Sequence, residues 1–153
     1  MRTYSVTMKQ TAVTTAITLI QIKAGASNVL RVLRAWVSQS NQTSSAQLSV
    51  AILRKTGAAT VTSATPLLLD KGDAASGAVG GAAATGVNAT VEGTNGDILV
   101  QASFSVLNGW LWVPVPEERI IVGPAGIIGL TLITAPGASM TTDAGIIFGE
   151  EGG

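Results

Sequence analysis

The sequence predicts an all-β sandwich, and three observations predict it. Val, Ile and Thr supply 45 of the 153 residues. These β-branched side chains suit pleated, half-buried strands and lose rotamer freedom in helices. The 18 glycines cluster between the apolar runs, where they act as turns. No window carries a sustained i, i+3, i+4, i+7 apolar stripe with capping residues at both ends.

The strands are expected in this order. Tyr4, Val6 and Met8 alternate with Ser5 and Thr7. Ala12–Lys23 follows as one strand, with Ile20 and Ile22 on one face, ending at Gly25. Asn28–Gln39 runs into the polar turn Ser38–Ser45. Leu48, Val50 and Ile52 alternate with Gln47, Ser49 and Ala51, so that strand is expected to bury one face. Ile98, Val100, Ala102, Phe104 and Val106 alternate with Leu99, Gln101, Ser103 and Ser105, the clearest period-two signal in the chain. Asn108-Gly109 then reads as a hairpin turn leading to Trp110–Val115. Ile127–Thr134 and Ala144–Phe148 complete the set.

About eight antiparallel strands separated by frequent turns favour a sandwich over βαβ units. A jelly roll of two four-stranded sheets accommodates eight strands. One domain is expected over residues 1–153, with an Ala/Gly-rich mobile loop at Asp70–Gly86.

Composition then narrows the function. The chain is 46% hydrophobic and 12% charged, roughly half the usual charged share of about 25%. Nine basic residues balance nine acidic ones. A neutral chain has no electrostatic grip on nucleic acid or an anionic membrane, so neither is an expected partner. It also lacks the net charge that keeps free proteins apart, a surface that tolerates a protein partner. There is no His and no Cys, which removes Ser-His-Asp and Cys-His nucleophile systems and thiolate metal sites. The opening residues carry no continuous apolar run of a secretory signal, so a chain made in the cytoplasm is expected. The most apolar stretch, Ile120–Ala135, is broken by Pro124, Gly123, Gly126 and Gly129 and is too short for a spanning helix, which needs about 20 residues.

Motifs for chemistry are weak. Asp70 and Asp73 lack the dense oxygen ligands of a calcium loop. Glu117 and Glu118 are adjacent, so on a strand they would face opposite ways and form no carboxylate pair. Gly77–Gly81 and Gly123–Gly126 lack the Gly-Lys-Ser/Thr ending of a phosphate loop. No catalytic residue, metal or cofactor is expected, and the chain is not expected to be an enzyme.

The candidate functional residues lie instead on two strands. In Asn28–Gln39 both faces are apolar, and each carries an arginine: Arg31 on one face, Arg34 with Trp36 on the other. In the later strand Trp110 and Trp112 share one face, and Leu111, Val113 and Val115 share the other. Only one face of each strand fits an intramolecular core. Arg and aromatic residues are enriched at protein contacts, so Arg31, Arg34, Trp36, Trp110 and Trp112 are the expected interface residues. On this reading Trp112→Ala harms association more than folding.

Several segments resemble small tailed-bacteriophage proteins that decorate, or cement, the capsid shell. They are Thr65–Asp73, Gly109–Val122, Gly126–Pro136 and Ala144–Glu151, with Arg34–Gln39 leading to Leu48–Arg54 similar in layout. The resemblance implies a β-sandwich or jelly roll forming a homotrimer. It implies a place on the capsid exterior, binding between major capsid protein subunits. It brings no catalytic residue to any position. The alternative is a receptor-binding or carbohydrate-binding jelly-roll head of a phage tail or fibre, which would expose Trp110 and Trp112 to sugar.

Overall fold

The computed structural model describes residues 1–152. These form twelve strands: β1 (Arg2–Val13), β2 (Thr18–Lys23), β3 (Val29–Gln39), β4 (Gln47–Gly57), β5 (Thr60–Ser63), β6 (Leu67–Leu68), β7 (Gly86–Val91), β8 (Thr94–Ser105), β9 (Trp110–Trp112), β10 (Ile121–Val122), β11 (Ile127–Leu132) and β12 (Met140–Glu151). One sheet runs β10-β3-β12-β1-β6, with β9 also on β3, and the other runs β5-β7-β2-β11-β4-β8. Every pairing between these strands is antiparallel.

Setting aside β5, β6 and β7 leaves eight strand positions, with β9 and β10 sharing one. β1, β12, β3 and β9/β10 then face β2, β11, β4 and β8. That order is the jelly-roll winding, in which consecutive strands alternate between sheets. The three extra strands are an insertion between β4 and β8. Within it β5 and β7 extend one sheet beyond β2, and β6 extends the other beyond β1.

The inner faces of both sheets meet in one core. Tyr4 and Phe148 are opposite residues of β1 and β12, and their rings stack with centroids 5.6 Å apart. Ile20, Ile52, Ile128 and Leu130 face them from the second sheet, all fully buried.

Four expectations change. Ala12–Lys23 is not one strand. β1 ends at Val13 and β2 begins at Thr18 in the other sheet, and the small polar run between them makes the crossing. Asn108-Gly109 is not a hairpin turn, because β8 and β9 lie in different sheets. Gly109 is needed there for another reason: its φ is +70°, and a Cβ would sit 2.8 Å from the Val37 carbonyl oxygen. The alternation of β8 is broken where the register against β4 shifts between Ile52 and Leu53. Leu99 and Val100 therefore both lean on the core, while Ile98 is 53% exposed. Finally, β4 buries both faces, since Ala51 and Leu53 are buried on the side away from the core.

The Asp70–Gly86 segment, expected as a mobile or loosely packed loop, is anchored at defined points. Ala78 and Thr85 are fully buried. Glu150, itself buried on β12, accepts hydrogen bonds from Ser76 Oγ at 2.6 Å and from the Gly77 amide at 3.0 Å. Asn28 Nδ2 donates to the same carboxylate at 3.0 Å. A buried carboxylate needs such donors, because leaving it unpaired costs several kcal/mol. The segment is thereby tied to the end of the sandwich.

Candidate interaction surface

Register decides which face each candidate residue occupies, because directly opposite residues on paired strands point to the same side. β9 pairs with β3 so that Trp110 lies opposite Val37, Leu111 opposite Trp36, and Trp112 opposite Ala35. Val37 and Ala35 are buried in the core. Trp110 and Trp112 therefore point inward, and both indoles are half-buried against that core. The expectation that they form an exposed contact face is corrected here: β9 turns its tryptophans in.

The face turned outward holds Leu111, Val113 and Val115, which are 64%, 56% and 53% exposed. Ile121, 47% exposed, joins them from β10, opposite Arg31. Pro114, between the two valines, is buried. Its position keeps the segment extended and holds Val113 and Val115 on the same side.

Arg31, Arg34 and Trp36 all lie on the outer side of the same sheet, although strict alternation put Arg31 on the face opposite Arg34 and Trp36. The register shift against β12 leaves Leu33 as an extra residue and brings the three to one side. Arg31 forms an ion pair with Glu151, Nε to Oε1 at 3.2 Å, between two half-open side chains, the kind of pair that contributes little to stability. Arg34 is exposed. Trp36 lies flat across Gly145 on β12: a Cβ at Gly145 would fall 2.0 Å from the indole ring. Glycine at that position makes the seat for the ring. The outer surface is thus an apolar row along the β9/β10 edge, backed by Trp36 and flanked by two arginines. At the same edge Arg119 Nε is buried with no hydrogen-bond partner.

The second sheet carries a polar cluster on its outer side that the sequence reading missed. The chain leaves β4 at Gly57 and returns into β8 at Thr94, and both passages cross outside β11. On the way out, the Ala59 amide donates to Gln21 Oε1 on β2 at 2.8 Å. On the way back, the Glu92 carboxylate accepts from the Thr18 amide at 2.6 Å and from Thr18 Oγ1 at 2.7 Å. Lys55 on β4 reaches the same carboxylate. Its Nζ donates to Glu92 Oε1 at 2.8 Å, to the Glu92 carbonyl at 2.8 Å and to Asn95 Oδ1 at 2.6 Å. All three ammonium donors are thereby used. Burial by itself would raise the Glu92 carboxyl. The bonds from Lys55 and Thr18 outweigh it and hold the group below its usual range. A signal for this cluster was present: Ala51, Leu53 and Lys55 alternate on β4, and two apolar residues on an outer face imply that something covers it.

The cavities are modest. One of about 160 Å³ lies at the end of the sandwich between Leu48, Val106 and Met140. A more open groove of about 390 Å³ follows β1 beside Ala64–Leu67. Among the described residues no three His, Cys, Asp or Glu side chains gather to hold a metal ion. Compared with known proteins, the chain matches no family model and no curated sequence.

Proposed function

We propose that this protein is a non-catalytic structural component of a tailed-bacteriophage virion. It decorates the capsid exterior as a homotrimer and stabilises the shell by binding between major capsid protein subunits. The observation that carries the reading is the outward row Leu111, Val113, Val115 and Ile121 on the β9/β10 edge. Four large apolar side chains on one edge, each about half exposed, gain about 1 kcal/mol each when a partner covers them. Leu111 and Ile121 sit on strands, and Val113 and Val115 flank the buried Pro114, which limits the ordering cost on binding. The sequence resemblance to capsid cement proteins supplies the kind of partner. The receptor-head alternative drew on Trp110 and Trp112 as sugar-stacking residues, and their half-buried packing against the core supports it less.

Such a protein acts by mass action. It stabilises whatever assembled state it binds, by about 2.7 kcal/mol per site at a hundred times its dissociation constant. A trimer that engages several subunits at once adds avidity. The test is cosedimentation of the purified protein with expanded empty heads, beside light scattering of the free protein. Binding by wild type, and its loss in Leu111→Asp/Val113→Asp with the fold intact, is the expected result. No binding to heads, or a monomer at high micromolar concentration, overturns the reading.

A further inference from the structure

Lys55, Glu92 and Asn95 are arranged for more than an ion pair. Lys55 and Asn95 are opposite residues of β4 and β8, so their side chains leave the sheet on the same side. The Lys55 side chain is 0% exposed. It lies across Gly129 of β11, where a Cβ would meet its Cε at 3.0 Å. Its Nζ sits 2.6 Å from Asn95 Oδ1. The carboxamide carbon is one C=O bond of about 1.2 Å from that oxygen, so it lies within about 3.8 Å of the amine. Glu92 Oε1 is 2.8 Å from the same nitrogen. A nucleophile, an electrophilic carbonyl and a carboxylate that moves protons thus converge on one sheltered point.

We propose that Lys55 and Asn95 condense into an intramolecular isopeptide bond, with Glu92 as the proton relay. The Lys55 ammonium passes a proton to the Glu92 carboxylate, and the free amine attacks Asn95 Cγ. The new bond is Nζ–Cγ, and the bond that breaks is Cγ–Nδ2. Glu92 carries two protons in turn from Nζ to the departing nitrogen. The products are a secondary amide and one ammonium ion, with the Glu92 carboxylate restored. No oxidant, metal or co-reactant enters the balance.

The surroundings suit each step. Burial of the lysine strips water from the amine, which makes it a better nucleophile and protects the adduct from hydrolysis. Glu92 is 30% exposed, so the ammonium ion has a way out. The three groups meet only once β4 has paired with β8, so the bond is expected to form after folding. Once formed, it ties β4 to β8 and closes the insertion between them into a covalent loop, which suits a protein selected for durability.

The experiment is intact-mass measurement of the full chain, fresh and after prolonged incubation below its unfolding temperature, followed by peptide mapping. The expected result is a mass lower than the sequence mass by one ammonia, and a branched peptide joining residues 55 and 95. Lys55→Arg and Glu92→Gln are expected to yield no branched peptide. Asn95-Gly96 is also prone to succinimide formation, which loses ammonia without Lys55. Ammonia loss that persists in Lys55→Arg, with no branched peptide in wild type, overturns the proposal. So does a wild-type mass that stays at the sequence value after incubation, a reading that depends on no variant folding.

Discussion

Replacing Trp112 and Leu111 separately by alanine tests the orientation of β9. The two residues are neighbours in sequence, yet register puts Trp112 beside Ala35 on the core side and Leu111 beside Trp36 on the outer side. A fully buried Trp→Ala change costs about 3–5 kcal/mol. The Trp112 indole is half-buried, so Trp112→Ala is expected to cost about 2 kcal/mol. Leu111 is 64% exposed, and surface changes of that kind stay within about 0.5 kcal/mol. Urea unfolding followed by far-ultraviolet circular dichroism reads the difference. With a slope of about 2 kcal/mol per molar urea, Trp112→Ala moves the midpoint down by about 1 M. Leu111→Ala leaves it nearly unchanged. The order reverses for association: Leu111 variants weaken binding to heads more than they weaken the fold. A Leu111→Ala midpoint as low as that of Trp112→Ala would refute the assignment of the two faces.

The seats of two further side chains are also open to test. Gly145→Ala drives a methyl into the space of the Trp36 indole and is expected to cost about 1–3 kcal/mol. Most of that cost disappears when Trp36→Ala is combined with it in a double-mutant cycle, and full additivity would show that the ring does not rest there. Glu150→Ala leaves Asn28, Ser76 and the Gly77 amide without their shared acceptor, an expected loss of about 3 kcal/mol. It should also speed tryptic cleavage at Lys71; an unchanged cleavage rate would show that Glu150 does not hold the segment.

The fold was largely legible because its signals are those of long strands. β3, β4, β8 and β12 each span eleven or twelve residues, enough for period-two alternation to show. β6 and β10 have two residues each, and two residues carry no period. β5 and β7 escaped for a different reason. Their few apolar side chains do not share one face: Val61 and Ala89 pack with Ala59 in a satellite cluster outside the main core, Val87 leans on the main core, and Val91 is exposed. Where the expected alternation of β8 fails, the cause is a register shift against β4, and bulges leave no compositional mark on the strand that contains them.

The interface was harder, because periodicity sorts residues into two faces without saying which is inside. For β9 the larger rings suggested a contact surface, yet they pack against the core beside Val37 and Ala35. The smaller aliphatic residues were left to face outward. The same ambiguity hid the Lys55 cluster. An outer face bearing the buried Ala51, Leu53 and Lys55 requires a cover, and over Lys55 the chain provides it with Glu92 and Asn95, on its way back into β8. Glu92 and Asn95 come within reach of Lys55 only through that crossing, with |i−j| of 37 and 40. No local motif connects residues so far apart. The long-range pairing of β4 with β8 brings the three together, so the chemistry of this site is a property of the winding and not of any segment.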